Sequence, residues 1–362
     1  MRLKKTVKLL LAQVFYYSGI AGFIRRHRPC KGVKILAYHR VNRPRMDPLG
    51  MAISPRDFAI HMSYLAASYK VISMSQAVES LGQDLANTVV VSFDDGYADN
   101  YFNAFPVLKR NALPAIVFLT AGPIDERGHL WYDQVVQALI TCQSSSLDLS
   151  AFGLGRWTVA TQQQKLRAAR FLVHYAKKNL DQSQLRMLLQ LLEEQGNGGK
   201  GIASEMMTWD QINEMKNSGI EFGAHTLTHV ILSGVEQEVQ VEEIQKSREI
   251  IERHTGKPVV FFAYPNGEAD DFTSETIDLL KSAGFQAACT LIPGWNTGGD
   301  PFVLKRIGVD EDFTGYGSFG TKAIFACELA GLFDFFLLRR RSPEREHGNE
   351  HIPAGRNSEK AG

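Results

Sequence analysis

The stretch Val89–Asn100, VVVSFDDGYADN, gives the first indication of the fold. Its apolar first half, rich in β-branched residues, is typical of a strand buried on both faces. Two adjacent carboxylates, Asp94 and Asp95, follow at once, and Gly96 comes next. Asp and Gly are common turn residues at a strand end. Two like charges side by side repel each other, so an ordinary turn does not explain why both are present. The alternative to a turn is a site in which one carboxylate binds a metal and the other moves a proton.

Strand-like and helix-like segments alternate along the rest of the chain. We predict strands at residues 33–41, 88–93, 114–120, 220–224, 259–264 and 286–291. Helices are predicted between them, one capped by Ser54 and another by Thr208, with Gln211 at the capping-box position. Apolar strands separated by helices indicate a parallel sheet that is covered on both sides.

The predicted domain organisation is one α/β unit with additions. The unit covers residues 31–318 and is interrupted at about 121–205, where amphipathic patterns predict a helical insertion without strands. An apolar helix with basic flanks is predicted at residues 1–30, and a second apolar helix at 319–341. The polar tail, residues 342–362, is predicted to be disordered.

The two terminal helices predict contact with a membrane. The apolar run Leu9–Ile24 lies between lysines and arginines, and it is short for a spanning helix. No clear cleavage site of a secretory signal follows it, so a helix lying in the membrane interface fits better. The alternative is that both terminal helices simply cover the core. We expect a membrane-associated protein of the cell envelope, on either face of the membrane.

Composition argues against other classes of protein. Forty Lys and Arg residues against thirty-nine Asp and Glu residues give a net charge of +1, so we expect no nucleic-acid partner. The four cysteines have no C-x-x-C spacing, and we interpret them as buried apolar residues without a zinc site or a disulfide framework. They are Cys30, Cys142, Cys289 and Cys327.

Polar side chains follow several of the predicted strands. In chain order they are His39, Asp94, Asp95, His225, His229 and Asn266. In a parallel α/β barrel the loops after the strands gather on one face, where active sites lie. We therefore expect these residues, although distant in sequence, to meet at one mouth of the barrel.

The segment HTLTH places His225 and His229 four residues apart. On a helical turn they would project from the same side, as two ligands of one metal must. With a strand-end aspartate they form a set that suits zinc or another divalent transition metal. Such a metal lowers the pKa of water and polarises a carbonyl, while a second carboxylate takes the proton. The pattern predicts metal-assisted hydrolysis.

Three motifs carry a family resemblance. FDDG (Phe93–Gly96), HTLTH (His225–His229) and FAYPNG (Phe262–Gly267), in this order, resemble the signature of the NodB-like polysaccharide deacetylases, carbohydrate esterase family 4. YHRV (Tyr38–Val41) is also common among such proteins, and the resemblance spans roughly residues 33–309. It implies a distorted (β/α) barrel that removes N- or O-acetyl groups from sugars with a divalent metal, for which we expect zinc.

The resemblance also implies roles for individual residues. Asp94 matches the family's general base, and the family's metal ligands correspond to Asp95, His225 and His229 of this chain. The family usually has Arg-x-Pro-Tyr in the third motif, where this chain has Ala263-Tyr264-Pro265-Asn266. The backbone N–H of Asn266 can still stabilise an oxyanion, because main-chain geometry does not depend on the side chain.

Two side chains that the family uses are absent from their usual places. The Arg that orients the base is missing, and Arg306, expected after the last strand, is our candidate replacement. The late Leu-x-His, whose imidazole protonates the leaving amine, is missing as well, because no histidine lies between His254 and His347. We consider His39 as the substitute donor, against the alternative of a structural histidine.

Further side chains are candidates for contact with a sugar substrate. They are Tyr97, Trp131, Tyr132, Tyr264, Trp295 and Arg306. For each aromatic residue the alternative is ordinary packing. Trp131 and Tyr132 open the inserted block, where a specificity element is expected.

The leading hypothesis is a metal-dependent hydrolase that removes an acetyl or related acyl group from an amino sugar in a cell-envelope polysaccharide or glycolipid. A close variant is a deformylase or deacetylase of a polyprenyl-linked sugar. A catalytically weak glycan-binding protein of the same fold is the alternative from another class. A structural α/β domain with incidental histidines is the least favoured interpretation, because the two acids and the two histidines are all present.

Overall fold

The computed structural model describes residues 2–27, 31–44, 47–195, 205–310, 313–314 and 318–335. The strands in these residues are β1 (Val33–Tyr38), β2 (Arg40–Val41), β3 (Ala52–Ile53), β4 (Lys70–Val71), β5 (Thr88–Phe93), β6 (Ile116–Leu119), β7 (Ser146–Asp148), β8 (Arg156–Thr158), β9 (Glu221–Ala224), β10 (Phe261–Ala263), β11 (Ala287–Cys289) and β12 (Arg306–Gly308). The α-helices are α1 (Arg2–Tyr17), α2 (Ile20–His27), α3 (Pro55–Ser68), α4 (Met74–Glu79), α5 (Phe105–Arg110), α6 (Ala121–Asp125), α7 (Trp131–Thr141), α8 (Gln162–Asn179), α9 (Gln182–Gln195), α10 (Trp209–Asn217), α11 (Gln237–Thr255), α12 (Ser274–Ser282), α13 (Ser318–Leu329) and α14 (Leu332–Phe335).

Seven parallel strands form a nearly closed barrel. Their order is β11-β10-β9-β6-β5-β1-β12, and β4 pairs with the beginning of β5. The ring closes between β11 and the segment before β12, where the Thr290 N–H donates to the Leu304 carbonyl at 2.8 Å. The Leu304 N–H donates in turn to the Ala288 carbonyl at 2.9 Å. The predicted barrel of parallel strands and helices is therefore present.

The strands of the barrel are mostly apolar because both of their faces are buried, although Lys34 of β1 and Arg306 of β12 are buried as well. Every residue of β1 and of β5 is buried. Side chains alternate along a strand, so one set packs inside the ring and the other packs against the surrounding helices. Ile35, Val90 and Phe118 belong to the smaller, inner cluster, whereas Leu36 and Val91 belong to the larger one.

The helix starts that capping patterns predicted are confirmed. Ser54 caps α3 by accepting a hydrogen bond from the Asp57 N–H, and Thr208 and Gln211 form a capping box at α10. The predicted strand at residues 88–93 has the expected bounds, and the other predicted strands are present but shorter, at residues 33–38, 116–119, 221–224, 261–263 and 287–289. β4 and β12 were missed because two or three residues are too few to show a period.

The inserted block contains helices α6–α9 and also a small hairpin. β7 and β8 pair in antiparallel fashion, with Leu147 opposite Trp157. The prediction that this block lacks strands was therefore wrong. Each strand has three residues, and only one of the six is buried, so neither the alternation nor the length of the segment indicated a strand.

The terminal helices pack on one another at the side of the barrel. α13 is buried at Ile324, Phe325 and Leu329, and Lys8 of α1 lies 2.7 Å from Glu328 of α13. In the described residues no single helix is long and apolar enough to cross a membrane. The pair 5–17 and 20–27, bent by 68°, meets the length and composition criteria only jointly. Cys30, residues 336–341 and the predicted disordered tail lie outside the described residues.

Candidate active site

Three ligand-type side chains meet at the carboxyl ends of β5 and β9. Asp95 lies two residues beyond β5, His225 follows β9 directly, and His229 lies four residues later. The Asp95 Oδ1 atom is 3.7 Å from the Nε2 atom of His225 and 3.4 Å from that of His229. One ligand atom from each residue lies within 4.8 Å of the other two, and all three residues are buried.

The surroundings of these side chains fit a divalent cation. Both carboxylate oxygens of Asp95 are buried without a hydrogen-bond partner among the described residues. Burial, and then the charge of Asp94, raise the pKa of Asp95 well above its usual value. A buried carboxylate without a partner is costly, and a bound cation would neutralise it.

The two imidazoles have the protonation state that a metal ligand needs. The Nδ1 atom of His225 lies 2.7 Å from the Ala263 carbonyl, which can only accept, so Nδ1 carries the proton and Nε2 offers a lone pair toward Asp95. Burial lowers the pKa of His225 to about 4 and lowers that of His229 as well. Two neutral imidazoles and one carboxylate are a donor set typical of catalytic zinc.

The HTLTH segment is a loop, so the predicted helical turn was wrong. Thr226 and His229 have positive φ angles of 63° and 64°, and the loop geometry brings the two imidazoles together. The Thr226 hydroxyl accepts from the His229 N–H at 3.0 Å. Asp95 and Asn266 also have positive φ angles, of 73° and 63°. Such conformations are strained for residues other than glycine and concentrate at functional sites.

A carboxylate that the sequence did not single out holds the HTLTH loop. Glu243 of α11 is buried and accepts from the N–H groups of Leu227 and Thr228 at 2.8 and 2.9 Å. It also accepts from the Thr228 hydroxyl at 2.6 Å. A long, charged helix gives no sign of which acid faces inward, although Glu243 shares a helical face with buried Gln240 and Ser247.

Asp94 forms a buried, bidentate ion pair with Arg306. The two guanidinium nitrogens of Arg306 lie 2.6 and 2.8 Å from the two oxygens of Asp94, and neither side chain is more than 1% exposed. Burial alone would raise the pKa of Asp94, but Arg306, with smaller effects of His225 and His39, holds it well below its usual value. Arg306 also donates to the Thr290 carbonyl at 2.9 Å.

The position of Arg306 differs from two expectations. It begins β12 instead of following the last strand. As a candidate substrate contact it is unsuitable, because the side chain is fully buried and its guanidinium is engaged by Asp94, Ser92 and Thr290. Its guanidinium pairs with Asp94, the residue that the family resemblance matches to the general base.

His39 lies at the mouth of the barrel beside Asp94. Its Nε2 atom is 3.8 Å from Asp94, and its side chain is 21% exposed. Burial lowers the pKa of His39, which Asp94 partly offsets. The imidazole is thus neutral near pH 7 and close enough to Asp94 for a proton to pass between them after a small movement.

Asn266 is held from two sides in the loop after β10. Its side-chain amide donates to Asp271 at 2.7 Å and accepts from the ammonium group of Lys177 at 3.0 Å. Lys177 belongs to α8, so the inserted block contacts the site directly. No sequence motif indicated Lys177, because one lysine in an amphipathic helix is ordinarily a solvated residue.

Three of the five aromatic candidates lie at the site or next to it. The Tyr132 ring is 5.1 Å from the His229 ring, and the partly buried Trp131 packs edge-on against Tyr132. Tyr97 is fully buried and its hydroxyl donates to Asp133 at 2.9 Å, so it belongs to the wall of the site.

Two aromatic candidates do not line the site. Tyr264 is fully buried, stacks on Phe272 and donates to the Phe302 carbonyl at 3.0 Å, so it is a core residue. Trp295 lies at the opposite end of the barrel, where the ammonium group of Lys34, at the start of β1, is 4.1 Å from its ring. Both were wrong as substrate contacts, because the sequence does not show which way a side chain points or at which end a loop lies.

A groove with both polar and apolar lining runs between the barrel and the inserted block beside this site. Its cavity volume is about 540 Å³, and its lining includes Arg40, Asp133, Gln137, Gln162, Lys165 and Glu205. Asp133 connects the groove with the site through the Tyr97 hydroxyl, which lies 3.3 Å from the hydroxyl of Tyr132. Burial raises the pKa of Asp133 to about 6.

Comparison with known proteins gives consistent matches. Residues 82–288 match the family model described as polysaccharide deacetylase. The chain is 21% identical over 278 residues to the Bacillus subtilis (strain 168) protein YxkH, whose name assigns it to the polysaccharide deacetylases. That match covers 76% of this chain and 69% of YxkH.

Solved structures share the fold. The Streptococcus pyogenes deacetylase PplD, in complex with acetate, aligns with a TM-score of 0.52 at 18% identity, over 79% of this chain and 95% of that one. IcaB from Ammonifex degensii aligns with a TM-score of 0.52 at 22% identity, over 82% and 98%. The likeness lies in the nearly closed barrel of parallel strands and helices, so the predicted fold is confirmed.

Proposed function

The chain belongs to the polysaccharide deacetylase family, hydrolases that act on the C–N bonds of amide groups, and we propose that it removes an N-acetyl or related acyl group from an amino sugar of a cell-envelope polysaccharide or glycolipid. The observation that carries this proposal is the different surroundings of two adjacent acids. Asp95 faces two neutral imidazoles, whereas Asp94 faces the guanidinium of Arg306. The first acid suits a cation and the second a proton, as metal-assisted amide hydrolysis requires.

The cofactor we propose is a divalent metal, most simply zinc. Asp95, His225 and His229 would hold it, because their ligand atoms lie within 4.8 Å of one another and the carboxylate has no other partner among the described residues. When bound, such a cation lowers the pKa of water to near neutrality and polarises the amide carbonyl.

Asp94 acts as the general base in this proposal. Its low pKa keeps it ionised at neutral pH, and the bidentate contact with Arg306 fixes both of its oxygens. It accepts the proton of the attacking water. The backbone N–H of Asn266 is the proposed donor to the developing oxyanion, in a loop that Asp271 and Lys177 restrain.

The leaving amine needs a proton, and two side chains at the mouth are able to supply it. Neutral His39 lies 3.8 Å from Asp94, so it can receive the proton that Asp94 accepts and pass it to the amine. Lys177, bonded to Asn266, is the second candidate donor. Deacylation by the His39→Asn and Lys177→Met variants, measured on substrates whose leaving amines differ in pKa, separates these candidates. Loss of the true donor lowers kcat more for an amine of high pKa than for one of low pKa, whereas loss of the other side chain lowers both equally.

The groove beside the site supports a substrate longer than one sugar. A cavity of about 540 Å³ lined by amide, carboxylate and cationic side chains offers both donors and acceptors to sugar hydroxyls. The partly buried Trp131, next to it, offers aromatic surface for stacking. The terminal helices, apolar and flanked by basic residues, support a location in the cell envelope with peripheral membrane contact. They also support the second candidate function, removal of a formyl or acetyl group from a polyprenyl-linked sugar.

The proposal is tested by measuring metal content and released acid on the same preparations. We expect about one zinc per chain, and acetate release from N-acetylhexosamine oligomers or from lipid-linked sugar. The Asp95→Ala and His229→Ala variants should lose the metal. The exposed Asp278 of α12, 77% exposed and far from the site, provides the matched control Asp278→Asn, which should retain metal and activity.

The outcomes distinguish the candidate functions. Formate in place of acetate identifies a deformylase. A chain that binds glycan but releases neither acid is the weak glycan-binding protein, and it would contradict the proposed reaction. Full metal occupancy in both the Asp95→Ala and the His229→Ala variants would contradict the metal site.

A further inference from the structure

The first two helices carry an apolar face that is open to solvent in the described chain. Seven large apolar side chains on this face are between 39% and 61% exposed: Val7, Leu10, Leu11, Val14, Tyr17, Ile20 and Phe23. They are seven of the eleven exposed large apolar residues of the described chain. On α1 their spacing of three and four residues puts them on a single side of the helix.

The other side of α1 is fixed against the protein. Ala12 is fully buried and packs with Ala323, Ile324 and Cys327 of α13. The ion pair between Lys8 and Glu328, at 2.7 Å, fixes the same contact. α1 therefore cannot rotate to hide its exposed residues without breaking this packing, and the apolar face is held outward.

The charge around this face favours an anionic partner. The chain has no Asp or Glu before Asp47, although acidic and basic residues are nearly equal overall. Residues 2–27 include six basic residues, of which Lys8 is paired with Glu328 on the packed side; the other five are Arg2, Lys4, Lys5, Arg25 and Arg26. Apolar side chains flanked by cations are typical of helices that lie in the interface of an anionic bilayer.

The same charges disfavour two other occupants. A second copy docking through this face in a symmetric dimer would bring two sets of cations together without any acid between them. The segment 336–341, FLLRRR, would also add arginines to an already cationic surface. A bilayer that contains acidic phospholipid matches both the apolar area and the charge.

We propose that the exposed face of α1 and α2 is a docking surface for an anionic phospholipid bilayer, with both helices lying in the plane of the interface. The 68° bend between them and the packing of α1 on α13 argue against a span. α1 has 16 residues, about 24 Å, which is less than the roughly 30 Å of a hydrocarbon core. This inference is independent of the chemistry proposed for the active site.

The test is co-sedimentation of the full-length, metal-loaded protein with vesicles. One set of vesicles contains phosphatidylcholine alone, and the other contains phosphatidylglycerol as well. We expect binding to the second set, weakened by salt. The triple variant Leu10→Ser/Val14→Ser/Phe23→Ser should lower the partition coefficient at least about tenfold. Arg26→Glu should weaken binding to anionic vesicles selectively.

The matched control is Phe102→Ser. Phe102 is 62% exposed, against 61% for Phe23, and lies outside the helix pair, so its loss removes as much apolar surface as Phe23→Ser alone and should leave membrane binding unchanged. Equal unfolding midpoints and equal acetate release from a soluble oligomer show that each variant is folded, and they keep failure of docking distinct from failure of the proposed reaction.

Three results would overturn the docking surface. One is binding by the triple variant equal to that of the wild type. The second is a wild-type dimer in light scattering that the triple variant abolishes, which would identify a second copy as the occupant. The third is resistance to extraction from membranes at alkaline pH, which would indicate a spanning segment.

Discussion

Replacement of Arg306 by Met should leave the buried Asp94 without its counter-ion, and it should therefore lower the free energy of unfolding and change its pH dependence. Met has a similar length and no charge, so the principal change is the loss of the two hydrogen bonds, at 2.6 and 2.8 Å, to Asp94. Asp94 stays buried, and an unpaired carboxylate in that position must either be protonated or bear the full cost of its burial.

The expected magnitude follows from the burial of both partners. Removing one member of a buried ion pair typically costs about 3–5 kcal/mol of unfolding free energy, because the other charge is left uncompensated. The contact with Thr290 is lost as well. The matched control is Arg156→Met, because the Arg156 side chain is 72% exposed and its pair with Asp148, at 3.4 Å, is a surface pair. That variant should change stability by about 0.5 kcal/mol or less.

The pH dependence gives a second readout with a definite sign. In the wild type the folded pKa of Asp94 is below its unfolded value of about 3.9, so the pair stabilises above that pH and the benefit disappears in acid. In Arg306→Met, burial raises the folded pKa of Asp94 above the unfolded value, so stability decreases as pH rises. The difference between the two proteins should therefore be largest near pH 7 and shrink toward pH 4.

Urea unfolding of the metal-free proteins, followed by circular dichroism between pH 4 and pH 8, measures both effects. The double variant Asp94→Asn/Arg306→Met removes the uncompensated charge, and it should be less destabilised than the sum of the two single variants by about 1–3 kcal/mol. A cost of Arg306→Met no larger than that of Arg156→Met, with no dependence on pH, would refute the reasoning.

Three further predictions concern other parts of the molecule. Glu243→Ala should free the HTLTH loop and lower zinc affinity about 10–100-fold, as measured by competition with a chelator; unchanged affinity would show that the loop needs no support from α11. His61 is buried, and burial lowers its pKa to about 3, so the free energy of unfolding should fall as pH drops below about 6.5. His61→Phe should reduce the slope of unfolding free energy against pH by up to about 1.4 kcal/mol per pH unit, and identical slopes in the two proteins would contradict this. Gln137→Ala in the groove should raise KM for oligosaccharides without changing kcat, and it should not affect the kinetics of a single N-acetylated sugar. An equal effect on both substrates would show that Gln137 does not bind the additional sugars.

The sequence predicted the barrel and the members of the candidate metal set because both rest on local rules. Apolar strands and capping boxes are readable within a few residues, and the parallel direction of the strands brings their following loops together. Asp95, His225 and His229 meet for that reason, although 130 or more residues separate the aspartate from the histidines. The resemblance to the polysaccharide deacetylases, carried by short motifs, is also confirmed.

The unpredicted features depend on distant contacts or on the direction of a side chain. Arg306 reaches Asp94 across 212 residues from a strand of only three residues, so no local pattern indicated it as a strand residue. Lys177 enters the site from the inserted block, whose position over the barrel is a tertiary property. Trp295 was misassigned because the sequence does not distinguish the two ends of the barrel for residues outside a strand.

The departures from the family pattern have different consequences in the folded chain. Arg306 places a guanidinium against Asp94, the proposed base, although the third motif lacks its arginine and Arg306 comes from another strand. The missing imidazole of the late motif has two proposed but less direct counterparts: His39, which lies 3.8 Å from Asp94, and Lys177, which contacts Asn266. We therefore expect the chain to bind its metal fully. We also expect the rate of deacylation to depend more strongly on the pKa of the leaving amine than it would with the late Leu-x-His present.

The most direct test of the central claim measures zinc content and acetate release together in the wild type and in Asp94→Asn. In the proposed mechanism Asp95, His225 and His229 hold the metal, and Asp94 accepts the proton. Asp94→Asn should therefore retain about one zinc per chain, like the wild type, and lose acetate release by about 100-fold or more. Loss of zinc from Asp94→Asn, or acetate release at the wild-type rate, would contradict this division of roles.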